Sequence, residues 1–167
     1  MKRLISENPR KVLKAKAKFE KELKVKVSIK EKEIHIDGKP EDEYYAEKIV
    51  DAINLGFPIE KAFLLKEDEF VLEILNIKDY TKRKDLGMIK ARIIGTKGKT
   101  LRVLSELTKC YFQVKDSQVG IIGDVDNIKN AGEAVVSIIK GSKHSKVYNR
   151  IEKHKPEPIF DLGLKKK

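Results

Sequence analysis

Tryptophan is absent from this chain of 167 residues, and cysteine occurs once, at Cys110. One cysteine excludes a disulfide framework within the chain and is typical of proteins kept in a reducing compartment. No apolar run approaches the roughly 20 residues that a membrane-spanning helix needs, and Glu7, Asn8 and Pro9 soon interrupt the first apolar residues. We therefore expect a cytoplasmic protein that has no membrane among its partners.

The side chains needed for catalysis or metal binding are also sparse. His35, His144 and His154 lie far apart in the sequence, and the HxxxH and CxxC spacings of metal sites do not occur. Ser105 falls in a predicted helix without the glycine pattern of a nucleophile elbow, and no pair of carboxylates stands out. We expect no enzymatic activity, no metal and no other cofactor.

Positive charge, by contrast, is abundant. The 37 lysines and arginines exceed the 26 aspartates and glutamates, which gives a net charge of +11. Such an excess favours a polyanionic partner, although surfaces rich in lysine and glutamate also occur in heat-adapted proteins. Apolar residues make up 40% of the chain and can form a core, and the length admits one large domain or two small ones.

The most informative stretch runs from Ile93 to Thr100 and contains Gly95 and Gly98. Apolar-periodic segments on both sides predict two helices that are joined by this turn. Glycine permits backbone angles closed to other residues and leaves room for a close approach, and the first N–H groups of the following helix have no intrahelical partner. The stretch therefore predicts a phosphate-binding turn, with an ordinary connection between helices as the alternative.

A nucleotide-binding P-loop is a competing interpretation, because Gly98-Lys99-Thr100 matches the end of a Walker A motif. That motif requires a glycine five residues before the glycine of its GKT end. In this chain the corresponding position is Ile93. The P-loop interpretation therefore fails, and the glycine turn has to be explained by the segments that follow it.

Those segments predict a helix to about Thr108, strands at 111–114 and 119–122, and a further helix. The order helix, GxxG, helix, strand, strand, helix is that of a KH domain, whose GxxG loop clamps the backbone of about four single-stranded nucleotides. The pattern therefore predicts an RNA-binding domain of the α+β class.

The same pattern occurs earlier in the chain at an offset of 85 residues without a gap (110 − 25 = 85). A repeat of this length indicates two homologous small domains rather than a solenoid. We therefore predict an α+β fold of two tandem type I KH domains, each a three-stranded sheet with helices packed on one face. The matched positions include Val25 with Cys110, Val27 with Phe112, Ile34 with Val119, Ile36 with Ile121, and Gly38 with Gly123.

The first copy lacks the glycine loop, because Arg10 and Leu13 take the places of Gly95 and Gly98. Neither residue readily supplies a positive φ or a close backbone approach, so we predict a degenerate domain that does not clamp nucleic acid in the usual way. A solvated basic helix from Arg10 to Leu23 is the simplest interpretation. Three other roles stay open: a structural platform, a protein-binding face, or a surface that meets phosphates through Lys11, Lys14, Lys16 and Lys18.

Domain boundaries follow from the repeat. The degenerate domain with a short connecting helix is assigned to residues 1–66, the domain with the GxxG loop to 67–155, and a C-terminal tail to 156–167. The apolar residues of the connection, Phe57, Ile59, Phe63 and Leu64, predict that the domains pack together. The strand predicted at 70–77 has no counterpart at the same offset, so the first copy either lacks this strand or forms a shortened one from Lys2 to Ser6.

Four stretches of the second copy carry a family resemblance: Arg92 to Thr100, Glu106 to Thr108, Ile121 to Gly123, and Gly141 to Tyr148. Together they resemble the two-KH-domain assembly factors of the small ribosomal subunit, the Partner-of-Nob and Krr-type proteins of archaea and eukaryotes. The resemblance covers nearly the whole chain and is strong over about 70–151. A short basic chain of this kind is similar to the archaeal members, and its departure from the Partner-of-Nob pattern lies in the loop of the first copy.

The resemblance implies a ribosome-biogenesis factor that binds single-stranded small-subunit rRNA near its 3′ end during rRNA processing. It also implies contacts with the endonuclease that trims this end and with the alpha subunit of translation initiation factor 2. The alternative is a protein-interaction scaffold whose KH folds have little RNA affinity. The degenerate first copy supports this alternative, and the glycines of the second copy argue against it.

The predicted RNA-binding residues belong to the loop, the helix ends beside it and the neighbouring strand. Main-chain N–H groups around Thr96 to Lys99 are predicted to hold phosphates, and the strand to offer main-chain groups to base edges. Apolar side chains at the helix ends are predicted to support the bases. The full set is Arg92, Ile93, Ile94, Gly95, Thr96, Lys97, Gly98, Lys99, Thr100, Leu101, Arg102, Phe112, Gln113 and Val114.

Two assignments within this set have open alternatives. Phe112 is the counterpart of Val27 in the repeat, so it is equally interpretable as a core residue, and we favour that interpretation. Arg92 and Arg102 are either contacts to phosphates and bases or ordinary surface charges. The low aromatic content, 7%, predicts that base stacking contributes less here than in proteins that read RNA through aromatic platforms.

Overall fold

Two three-stranded antiparallel sheets form the framework of the protein, whose computed structural model describes residues 1–153. The strands are β1 Lys2–Ile5, β2 Lys26–Lys30, β3 Glu33–Asp37, β4 Phe70–Asn76, β5 Tyr111–Lys115 and β6 Gln118–Asp124. The helices are α1 Pro9–Lys14, α2 Lys16–Leu23, α3 Pro40–Leu55, α4 Ile59–Ala62, α5 Leu86–Ile94, α6 Lys99–Thr108, α7 Ile128–Ile139 and α8 His144–Lys153.

Both sheets have the same strand order, with the last strand in the middle. The orders are β1-β3-β2 and β4-β6-β5. In the first sheet Ile36 lies opposite Val27, and in the second Ile121 lies opposite Phe112, which is the same pairing displaced by 85 residues. The prediction of an α+β chain built from two copies of one three-stranded unit is therefore confirmed.

The opening strand of the first copy is present as β1. Lys2 lies opposite Ile36, whereas Glu73 of β4 lies opposite Ile121, so the opening strands are offset by 71 residues (73 − 2) rather than 85. The first copy therefore has 14 fewer residues (85 − 71) between its first strand and its second helix. This deletion accounts for the strand that sequence register alone could not place.

The single basic helix predicted from Arg10 to Leu23 is wrong in one respect, because the structure divides it at Ala15 into α1 and α2. Arg10 and Leu13, which replace the loop glycines, lie within the helical turns of α1. Leu13 is 53% exposed. The first copy therefore has a short helix where the second copy has its glycine turn, as the lack of glycine predicted.

The helices of the first copy lie between the two sheets. One core cluster contains Ile34 and Ile36 of the first sheet, Ile49 and Val50 of α3, and Ile122 of the second sheet. A separate cluster lies between the second sheet and helices α5 to α8, and it contains β6 residues Val119 and Ile121. The chain is therefore stacked in four layers, in the order sheet, helices, sheet, helices, and the predicted packing of the two copies is present.

This stacking explains why matched positions on the outer faces of the two sheets differ in polarity. Lys26 and Asp37 of the first sheet correspond to Tyr111 and Ile122 of the second at the 85-residue offset. Ile122 is fully buried in the cluster formed with the first copy, and Tyr111 packs against that cluster, while Lys26 and Asp37 are exposed. Only the sheet face that receives a neighbouring layer is apolar, as burial requires.

The closest approach between the two copies occurs at Gly120 of β6. A Cβ atom at this position would lie 2.8 Å from Leu55 Cδ1 and 3.0 Å from Phe57 Cε2, closer than van der Waals contact allows. Nearby, Lys115 Nζ donates a hydrogen bond of 2.8 Å to Asn54 O at the end of α3. The end of α3 is thus seated directly on the backbone of the second sheet.

The domain boundaries assigned from sequence, 1–66 and 67–155, stay predictions. The connection that was predicted to be a short helix consists of α4 and a 3₁₀ turn at Phe63–Lys66. The predicted tail at 156–167 lies outside the described residues. None of the helices within residues 1–153 is both long enough and apolar enough to cross a membrane.

Replacement of Gly120 with alanine tests the seat of α3 on the second sheet. We expect Gly120→Ala to lower the free energy of unfolding by about 1–3 kcal/mol, because the added methyl group overpacks the contact with Leu55 and Phe57. Urea denaturation followed by circular dichroism measures the change. The double variant Gly120→Ala/Leu55→Ala should regain part of the loss caused by Gly120→Ala on the Leu55→Ala background, and strictly additive effects would contradict the contact.

Candidate nucleic-acid interface

The GxxG turn occupies Gly95 to Gly98 between α5 and α6 and has an unusual backbone. Three of its four residues have positive φ: Gly95 at 77°, Lys97 at 54° and Gly98 at 76°. A side-chain-bearing residue in the left-handed region costs about 1–2 kcal/mol, so Lys97 holds a strained conformation. Strain of this kind is typical of ligand-binding turns.

The two glycines serve different ends. A Cβ atom on Gly95 would lie 2.2 Å from Thr100 Oγ1 and 2.6 Å from Thr100 N, so the turn closes only with glycine there. A Cβ atom on Gly98 would have no atom within 4 Å. Gly95 is therefore needed to form the turn, whereas Gly98 leaves a bare stretch of backbone that another molecule can approach.

Main-chain donors of the turn face the same region. Gly98 N–H donates to Gly95 O at 3.1 Å and Lys99 N–H donates to Thr96 O, so the N–H groups of Thr96 and Lys97 lie before the first hydrogen bond of the turn. Helix α6 begins immediately after Gly98 with no side-chain cap and no acidic residue in its first turn. The positive end of its dipole is therefore available to an anion.

Cationic side chains surround these donors. Lys97, Lys99 and Arg102 are exposed, and Arg102 Nη2 donates to Lys97 O at 3.3 Å, which holds its guanidinium beside the turn. Lys90 on α5 is half-buried. The turn thus combines open main-chain donors with positive charge, which is an arrangement suited to a phosphate backbone.

Arg92 has a structural role. Its guanidinium donates to Ile138 O at 2.9 Å and to Ser142 O at 2.7 Å, both at the end of α7, and the His144 ring lies 2.8 Å from Arg92 O. These bonds join α5 to the junction of α7 and α8. A contact between Arg92 and nucleic acid stays a prediction, but its fork of donors is already used within the protein.

The apolar residues predicted to support bases divide into two kinds. Ile93 is fully buried in the core between the second sheet and its helices, and Thr100 is also buried. Ile94 and Leu101 are only partly buried, one on each side of the turn. Ile94 and Leu101 are therefore the residues that can offer an apolar surface to a base.

Strand β5 is the neighbouring edge of the sheet, and within residues 1–153 it pairs only with β6. Phe112 and Val114 pack against the core of the second copy, which supports the core interpretation of Phe112. Gln113 points to the opposite face, where its Oε1 approaches Gly56 of the first copy. The outer main-chain edge of β5, rather than the Gln113 side chain, is what this strand offers to a ligand.

The turn that positions β5 beside α6 depends on polar residues that the sequence did not single out. Ser105 Oγ donates to Cys110 O at 2.6 Å, and Thr108 Oγ1 donates to Leu104 O at 2.6 Å. The thiol of Cys110 is buried, and burial raises its pKa to about 11, so it stays protonated and unreactive at neutral pH. Serine and threonine at the end of a predicted helix were the available signal for this device.

Comparison with known families agrees with this geometry. Residues 71–156 match the model of the second KH domain of PNO1, described as a eukaryotic type KH domain of type I. The chain belongs to the PNO1 family of KH-domain proteins. The family matched is the Partner-of-Nob side of the sequence resemblance, and the predicted type I KH fold is confirmed.

Individual relatives show the same relationship. The chain is 35% identical over 166 residues to the KH domain-containing protein MJ0443 of Methanocaldococcus jannaschii, covering 90% of this chain and 71% of that protein. It is 38% identical over 105 residues to the pre-rRNA-processing protein PNO1 of Yarrowia lipolytica, covering 61% of this chain. It spans only 41% of the length of this second relative.

A solved structure shows the same fold over most of the chain. The match is to a chain in the crystal structure of the a/eIF2alpha-aDim2p-rRNA complex from Pyrococcus horikoshii OT3, with a TM-score of 0.81 and 30% identity. It covers 91% of this chain and 92% of the solved one. The similarity includes both copies of the repeat.

The different surroundings of the two loop glycines lead to a stability prediction. Gly95→Ala should lower the free energy of unfolding by at least about 2 kcal/mol, because it adds a clash with the Thr100 backbone to an unfavourable φ. Gly98→Ala should cost only about 1 kcal/mol, since its methyl group enters open space. Thermal unfolding of the two variants measures this order, and equal losses would contradict the asymmetry.

Proposed function

We propose that this protein is a ribosome-biogenesis factor that binds single-stranded small-subunit rRNA, near its 3′ end, through the second KH domain. The observation that carries the proposal is the open Gly98 backbone at the uncapped start of α6, with exposed lysines on both sides of the glycine. A KH domain uses such a turn to clamp the nucleic-acid backbone.

The names of the relatives support this role. The Yarrowia relative is a pre-rRNA-processing protein, and the solved structure with the same fold is a complex that contains rRNA and a/eIF2alpha. We extend both associations to this chain, so that rRNA and the alpha subunit of translation initiation factor 2 are its proposed partners. The endonuclease that trims the 3′ end is a further proposed partner, and the cytoplasm the proposed location.

Binding would begin at the phosphates. The N–H groups of Thr96 and Lys97 and the start of α6 would each accept an oxygen of the RNA backbone, and Lys97 and Lys99 would add charge from the surface. The bases would then lie over Ile94 and Leu101, towards the free main-chain edge of β5. Direct contacts of Phe112, Gln113 and Val114 with bases would involve their backbone groups.

A protein-interaction role for the first copy is the second candidate, and one observation favours it. Its counterpart of the glycine turn is helix α1, which carries the exposed apolar side chain of Leu13 between Arg10 and Lys14. Backbone donors inside a helical turn are not available to phosphates. The two roles are compatible, with RNA on the second copy and a protein partner on the first.

A charge placed at Gly98 tests the proposed clamp. We expect Gly98→Asp to abolish binding of a single-stranded fragment from the 3′ end of small-subunit rRNA, because a carboxylate would enter the phosphate position. Fluorescence anisotropy measures the affinity. Gly141→Asp is the matched control, since Gly141 also has positive φ and open space at its Cβ position. Unchanged affinity in Gly98→Asp, with the fold intact by circular dichroism, would refute the clamp.

The ionic part of binding is tested by a salt titration. Each neutralised phosphate of a single strand contributes about 0.7 to the slope of log affinity against log salt, so two phosphates predict a slope of about −1.4. Lys97→Ala should reduce its magnitude by about 0.7. Lys26→Ala removes an exposed lysine from the distant first sheet and should leave the slope unchanged. A slope near zero for the unaltered protein would exclude phosphate binding.

A further inference from the structure

Strand β4 is an edge strand without the usual protection against pairing. It has seven residues, and within residues 1–153 only β6 pairs with it. Its sequence, Phe-Val-Leu-Glu-Ile-Leu-Asn, contains no proline, lysine or arginine, and Ile74 is 43% exposed. Natural proteins blunt exposed edges with short strands, lysine or proline, so β4 is open to a further strand.

The corresponding edges of the first sheet show the contrast. Strand β1, the counterpart of β4, has only four residues and begins with Lys2 and Arg3. Strand β2, the other edge, carries Lys26 and Lys30 at its two ends. Both edges of the first sheet are therefore protected by charge, and β4 is the longest edge strand in the described part of the chain.

Two cavities follow one another along β4. The first has a volume of about 280 Å³ and lies beside Val71 and Leu72, with Tyr44 and Lys48 of α3 as its outer wall. The second, of about 550 Å³, lies beside Glu73 and Leu75 and is bounded by Tyr80, Gly132 and Ser137, and by Arg150 of α8. A segment that paired with β4 would therefore find room for its side chains along the strand.

The second cavity contains a carboxylate with no cationic partner among residues 1–153. Glu73 is the central residue of β4, and it lies against α7 so closely that a Cβ on Gly132 would be 3.0 Å from its Oε1. Partial burial raises the pKa of Glu73. An acid that is partly desolvated without a compensating charge is stabilised when a cation reaches it.

We propose that the free edge of β4 binds an extended segment of a partner protein, which adds a fourth strand to the second sheet and places a lysine or arginine beside Glu73. Strand addition supplies affinity through main-chain hydrogen bonds, and side-chain pockets supply selectivity. The site lies on the opposite edge of the sheet from β5, so the proposal goes beyond RNA binding and leaves the RNA groove free.

The charges along the edge indicate what kind of segment fits. Glu73 favours one basic residue at the centre, while Lys129, Lys140 and Arg150 around the same cavity favour acidic residues at the flanks. A second copy of this chain fits poorly, because antiparallel pairing of two β4 strands about their central residue would place two Glu73 carboxylates opposite each other. Like charges directly opposite in a sheet are destabilising.

Selection from a phage-displayed library of random peptides of about twelve residues, long enough to span the strand, tests this site on the full chain. We expect the enriched peptides to alternate apolar residues around one lysine or arginine. A labelled peptide of this type should bind about tenfold more weakly to Glu73→Gln, because a charge-assisted contact is lost. Glu133→Gln, which removes an exposed carboxylate on the wall of the same cavity, should leave its affinity within about twofold.

The edge itself is tested by Ile74→Lys, which adds the protective charge that β4 lacks and should abolish peptide binding. Both β4 variants should bind the rRNA fragment as the unaltered protein does, so failure here is distinguishable from failure of the RNA proposal. Circular dichroism verifies that they are folded. Failure to enrich any such peptide, equal binding to Glu73→Gln, or a dimer in sedimentation equilibrium that Ile74→Lys dissociates would overturn the proposal.

Discussion

The packing of α3 on the outer face of the second sheet is the contact on which the rest of the molecule depends. It joins the two copies into one stack at Gly120, and it makes the second sheet the only one with helices on both faces. Residues such as Ile122 and Tyr111 are apolar for this reason, although their counterparts Asp37 and Lys26 are polar. The RNA-binding turn lies on the far side of this sheet, away from the contact.

The repeat, the fold class and the position of the turn could be predicted from sequence, because each depends on local patterns. Alternating apolar residues identify strands, and two glycines three apart identify the turn, whatever the rest of the chain does. The position of β1 could not be predicted in the same way. The 14-residue deletion before α2 changes the offset between the copies, and only strand pairing reveals which residues lie opposite Ile36.

Side-chain roles within the interface were harder to predict than its location. Arg92 and Arg102 are both arginines near the turn, yet one is bonded to carbonyl groups at the end of α7 and the other remains exposed. Ile93 and Ile94 are identical neighbours, but only Ile93 is fully buried. These distinctions depend on how α7 and α8 close over α5, which is a tertiary arrangement with no local signal.

The unequal surroundings of Gly95 and Gly98 have a consequence for how duplicated domains diverge. A substitution at the second glycine can remove a ligand while leaving a folded protein, so RNA affinity is exposed to loss in a single mutational step. At the first glycine the same step damages the fold and is open to removal by selection. One copy of a duplicated pair can therefore drift towards new partners through the outer position, whereas the inner position changes only together with a remodelled connection such as α1.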